Sequence, residues 1–178
     1  MGKSPGSKAV ALSISLAAVA LILCVAGVAA ISAPKFMRFQ DRSWQSECKA
    51  NLRSIVTAER SYFAEYDRYS TKLADVGFSP EKGNRYQYRL GPGALGEEGV
   101  GVDVVKHAGA PPPAVLDAAL PPELKAKLGV TGTCPDCEVT ATCVGNVDSD
   151  EALDLWSVTV RPKGVSGELV NHVDDTQQ

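Results

Sequence analysis

Two stretches of this 178-residue chain gather reactive or metal-binding side chains. The first is Cys134-Pro135-Asp136-Cys137. Two cysteines at this spacing can form a disulfide, exchange it with other thiols, or supply half of a zinc tetrahedron. No second CxxC completes a zinc set, His107 and His172 stand isolated, and no His follows Cys137 as c-type haem attachment requires. Cys143 lies close by. A structural disulfide from Cys143 to Cys134 or Cys137 is expected, of the kind that forms in an oxidising compartment. The odd thiol, or Cys48, then pairs or stays reduced, and Cys24 is a small packing residue.

The second stretch runs from Asn146 to Asp154. Asn146, Asp148, Asp150 and Asp154 place oxygen side chains at positions 1, 3, 5 and 9, and the Ala152 carbonyl can add another. A hard cation such as Ca²⁺ takes six or more oxygens, and alternating acids on a tight loop supply them. Position 6, usually Gly, is Glu151. The competing reading is a polar hairpin with Asx-turns between two strands. No nucleophile–base–orienter set or phosphate loop occurs, so the chain reads as a non-enzyme. Its net charge of −3 is not the basic balance of a nucleic-acid binder.

Composition is divided unevenly along the chain. Residues 9–33 carry no charge, all 21 acids lie after residue 34, and ten of the 11 aromatics fall between Phe36 and Tyr88. An uncharged helix of 25 residues, at about 1.5 Å each, exceeds the roughly 30 Å hydrocarbon core of a bilayer. Ser13, Ser15 and Ser32 can bond back to backbone carbonyls in lipid. A cleavable signal peptide is the alternative, but the run is longer than its usual apolar region. A lipoprotein signal at Cys24 is disfavoured by Leu21. Basic residues flank both ends, so orientation rests on the cysteines, which place residues 35–178 outside the inner membrane.

From Lys35 to Tyr66 there is no Gly or Pro. Trp44, Cys48, Leu52, Ile55, Val56, Tyr62, Phe63 and Tyr66 recur at helical intervals, with Glu59 beside the stripe. The simplest drawing is one helix from 9 to 66, kinked near Pro34. Tyr86–Leu90, Val100–Val104, Cys137–Val144 and Leu155–Val160 alternate as strands. Pro122–Leu128 suits a short helix ending near Gly129. The organisation expected is a basic cytoplasmic leader (1–8), a transmembrane helix (9–33), an amphipathic helix (34–67), a globular α+β domain (68–162) and a flexible tail (163–178). The fold expected is α+β, a long N-terminal helix packed on a small antiparallel sheet.

Pro34 and Phe36, then Phe39-Gln40-x-Arg42-Ser43-x-Gln45-Ser46-Glu47, resemble bacterial type IV pilins and the pseudopilins of type II secretion. The likeness continues through Asn51-Leu52, Tyr62-Phe63-x-Glu65-x-Asp67-Arg68-Tyr69-Ser70 and Gly77-Phe78-x-Pro80-Glu81-x-Gly83-Asn84-Arg85-Tyr86-x-Tyr88, with a weaker stretch from Val144 to Trp156. It implies a structural or assembly component of a pilus or secretion system. Such a protein would be held in the bilayer and would pack on other pilin-like subunits through the N-terminal helix. A non-polymerising, membrane-anchored periplasmic binding module, Ca²⁺-binding in one version, is the alternative. The resemblance also implies a leader ending in Gly, and a Glu five residues on that pairs with a neighbouring subunit's terminal amine. Counted from Pro34, those positions are Leu12 and Ala17, and residues 13–16 read Ser-Ile-Ser-Leu. Processing as a normal prepilin is therefore not expected.

Overall fold

The computed structural model describes residues 5–80, 84–91, 118, 120–147, 152–164 and 166–173. In the first helix, side chains 5–16, 29–31 and 33–38 fall outside that description. Helix α1 runs from Pro5 to Tyr66. The chain divides into two compact units, Met1–Gln40 and Asp41–Gln178.

In the first unit, Val19, Leu21, Ile22, Leu23, Val25 and Val28 are all exposed. Among the described residues no helix is long and apolar enough to cross a membrane. Within the uncharged run, side chains 9–16, 29–31 and 33 fall outside the description.

In the second unit α1 presents one face to a sheet. Cys48, Leu52, Ile55, Val56 and Glu59 are buried at steps of three, four and one, as a 3.6-residue repeat requires. The helix stops at Asp67, whose φ of 52° is left-handed and whose N–H bonds the Phe63 carbonyl at 2.9 Å. Asp tolerates that conformation better than most residues. The chain then turns back through Ser70, whose hydroxyl accepts from the Lys72 N–H at 3.0 Å and reaches Asp75 Oδ2 at 3.0 Å. The segment to Asp75 is thus a side-chain-stabilised turn.

Strand β1 is Tyr86–Arg89, and helix α2 is Pro122–Lys125, with Pro at its first turn. Strands β2 (Gly129–Thr131), β3 (Glu138–Gly145), β4 (Asp154–Val160) and β5 (Leu169–Val173) follow. All pairings are antiparallel, in the order β1-β3-β4-β5, with β2 also on β3. β1 and β2 share one edge of β3, against residues 142–145 and 138–140 respectively.

The two-residue period of β3 sends Val139, Ala141 and Cys143 into the core under the helix. Val144 joins Leu120, Leu124, Leu128 and Leu155 in a second cluster. α2 therefore contributes Leu124 to the second cluster, while α1 covers the first.

The α+β architecture is the one expected, and β1, β3, β4 and α2 fall close to the expected segments. The tail needs correction. Leu169–Val173 pairs with β4, and Gly167 donates to the Thr159 carbonyl at 2.9 Å. A Cβ added at Gly167 would come within 3.2 Å of Val56 Cγ1, and φ there is +81°. Residues 166–173 thus belong to the head, and 174–178 lie outside the described residues. The expected strand Val100–Val104 also lies outside them.

Candidate functional site: the helix–sheet seam

The polar and covalent ties of the head gather where α1 meets the sheet. Asp154 opens β4 with no solvent exposure. Its Oδ1 accepts from Gln45 Nε2 of α1 at 2.9 Å. Its Oδ2 accepts from the Tyr86 hydroxyl at 2.8 Å and from Trp156 Nε1 at 2.8 Å. A buried carboxylate is tolerated when donors surround it, and here three elements supply them. Burial and the adjacent carboxylate push the Tyr86 hydroxyl far above its ordinary pKa, so it stays a donor. Two cations stack at the rim, Lys49 Nζ 4.1 Å from the Trp156 ring centroid and the Arg85 guanidinium 3.3 Å from that of Trp44. Asn51 Nδ2 donates to the Tyr88 hydroxyl at 2.7 Å.

A disulfide crosses the same seam. Cys48 of α1 is bonded to Cys143 of β3, with Cα atoms 6.2 Å apart and a sequence separation of 95. Cys134 and Cys137 are bonded to each other, Cα to Cα 4.5 Å. The expected bridge from Cys143 to Cys134 or Cys137 is therefore replaced. Alternation along β3 turns Cys143 toward the helix, where Cys48 sits on the buried stripe. Loop-closure reasoning gives a crosslink of this span about 4–5 kcal/mol of stabilisation.

Glu59 lies further along the stripe, fully buried. Its Oε2 accepts from the Ser70 N–H at 3.1 Å, while Oε1 has no hydrogen-bond partner. Burial raises its pKa to about 7, opposed by the Ser70 bond and aided by the Asp75 charge. The carboxyl fastens the chain reversal at residue 70 to the helix.

Of the five expected calcium ligands, only Asn146, Ala152 and Asp154 fall among the described residues. Asn146 is buried, Ala152 half-buried, and Asp148 and Asp150 lie outside the description. Asp154 faces Gln45, Tyr86 and Trp156. Among the described residues no group of three or more His, Cys, Asp or Glu is placed to hold a metal. His172 Nε2 instead lies 2.7 Å from Ser157 Oγ. Gln45, Tyr86 and Trp156 escaped the sequence reading because nothing in their spacing shows that they converge. Glu59 gave a signal, an acid set against an apolar stripe.

A long helix whose outer part is sewn by side chains and a disulfide to a small antiparallel sheet is the architecture of a pilin. Comparison with known proteins agrees. The family model described as Type IV pilin PilA matches residues 39–111. The type IV major pilin protein PilA of Myxococcus xanthus (strain DK1622) is 34% identical over 164 residues, covering 78% of this chain and 74% of that protein. The chain belongs to the type IV pilin family.

Proposed function

We propose that this chain is a structural subunit of a type IV pilus. It is held before assembly in the bacterial inner membrane by its N-terminal helix, with the head on the outer side. The observation that carries this is 34% identity to a major pilin in an alignment covering 78% of the chain. The relative and the family model are both type IV pilins, which favours a pilus over a secretion pseudopilus.

Two features support the remaining steps. The row from Val19 to Val28 exposes large apolar side chains, which in water would be unfavourable and in lipid or against other such helices would not. The disulfides suit a head outside the cytoplasm. Association of copies through these helices would rest on apolar packing. The carboxylate that the resemblance places in this run is Ala17, whose side chain offers no charge for a neighbour's amine.

Ala17 also favours a second reading, a minor pilin that primes or caps a filament. Membrane fractionation with alkaline extraction, followed by terminal sequencing, tests the anchor. Retention of the uncharged run in the membrane pellet is expected. A soluble chain beginning near residue 34 would overturn it.

A further inference from the structure

The Cys134–Cys137 bond, unlike Cys48–Cys143, does not join the helix to the sheet. It closes the connection between β2, ending at Thr131, and β3, starting at Glu138. Pro135 and Asp136 are exposed and Cys134 is half-buried, whereas Cys137 is 1% exposed and packs in the core. Asp136 turns outward to Lys163 Nζ at 2.9 Å, with both side chains largely in solvent. In contrast, Cys48 and Cys143 are both 0% exposed. A disulfide opens when a thiolate attacks one of its sulfurs, so access to a sulfur decides which bond reacts. Opening a bond between residues three apart frees only a hairpin connection. Reaching Cys48–Cys143 requires the core to part.

We propose that Cys134–Cys137 is a thiol–disulfide exchange site that takes a dithiol reductant, with Cys134 as the sulfur attacked. One thiolate of the dithiol bonds to Cys134 Sγ. The Cys134–Cys137 bond breaks, and its electron pair leaves on Cys137 Sγ, which takes a proton from water. The second thiolate of the reductant then attacks the reductant's own sulfur in the mixed disulfide. Cys134 is expelled as a thiolate and protonated in turn. The dithiol departs as a cyclic disulfide, oxidised by two electrons, and the loop is reduced by the same two. The seam keeps its own disulfide throughout, so the head remains folded.

The test uses the full chain in detergent under native conditions, with the free thiol of Cys24 blocked beforehand. Dithiothreitol is added, samples are quenched with iodoacetamide over time, and peptides are read by mass spectrometry. Alkylation at Cys134 and Cys137 is expected at least about tenfold faster than at Cys48 and Cys143. All four reacting together, or none reacting until the head unfolds, would overturn the site. A parallel reaction with glutathione identifies the attacked sulfur. The adduct is expected on Cys134 with Cys137 alkylated, and the reverse pattern would overturn that assignment.

Discussion

The Tyr86 hydroxyl, on the first strand of the sheet, donates to Asp154 Oδ2 on the fourth at 2.8 Å, with β3 lying between the two strands. Tyr86 and Asp154 both pair with Gly145 of β3, one from each side. The side chains can meet because Gly145 has none. A Cβ there would come within 2.8 Å of both the Arg85 carbonyl and Tyr86 Cδ1. Gly145→Ala is expected to destabilise the head by about 2–4 kcal/mol, since backbone must move to admit the methyl group. Thermal or urea unfolding measures it, and an unchanged midpoint would show that the tyrosine has room to shift.

Removing the Tyr86 hydroxyl takes one donor from the carboxylate, whereas removing the carboxylate takes an acceptor from Gln45, Tyr86 and Trp156 together. Tyr86→Phe is expected to cost about 1–2 kcal/mol and Asp154→Ala about 3 kcal/mol or more. A double-mutant cycle between the two positions should return a coupling of at least about 0.5 kcal/mol. Strict additivity would mean that the contact contributes nothing of its own.

Glu59 gives the head a pH dependence of definite sign. Its folded-state pKa of about 7 lies above the ordinary 4.5, so the folded chain holds a proton that the unfolded chain releases. Stability is highest below the ordinary value, falls as pH rises from about 4.5 to 7, and levels above. At about 1.4 kcal/mol per unit the full loss is about 3–4 kcal/mol. Glu59→Gln keeps an acceptor for the Ser70 N–H and removes the ionisation. Unfolding free energies of the two proteins, compared across that window, should converge toward low pH and diverge toward neutral. A constant difference would contradict the buried acid.

The Cys48–Cys143 bond ties the helix to the sheet independently of packing. Paired Cys48→Ser and Cys143→Ser replacement is expected to lower stability by about 2–5 kcal/mol. Replacing Cys134 and Cys137 together should cost less, because that loop is short. Melting curves of the two double variants settle the order, and equal losses would contradict it.

Calcium discriminates between the two readings of the 146–154 segment. With Asp154 engaged by Gln45, Tyr86 and Trp156, the carboxylate has a role without any ion. Adding about 1 mM Ca²⁺ is expected to leave the melting temperature unchanged. A rise of several degrees would show the segment to be a cation site.

Elements with strong patterns were legible in the sequence. The outer part of α1 showed its stripe, Cys48, Leu52, Ile55 and Val56, because a helix must bury one face. β3 and β4 showed alternation for the same reason. β5 did not, since Leu169–Val173 is mostly exposed and is held by backbone pairing to β4, which leaves little trace in side-chain type. β2 is only three residues long and begins at a glycine. The cysteines were visible but their pairing was not. Nearness in sequence suggested Cys143 with Cys134 or Cys137, while the facing direction of β3 decided for Cys48. Asp154 stood in the expected cation set, and side-chain type alone does not show whether an acid faces a loop or a core, so its bonds to Gln45, Tyr86 and Trp156 could not be foreseen.

Sheared surface filaments, analysed by mass spectrometry beside the membrane fraction of the same cells, bear most directly on the proposed role. The chain is expected as an abundant, stoichiometric filament component, with filaments lost when it is deleted. Filaments that are free of the chain and unchanged by its deletion, with the protein confined to the membrane, would contradict it.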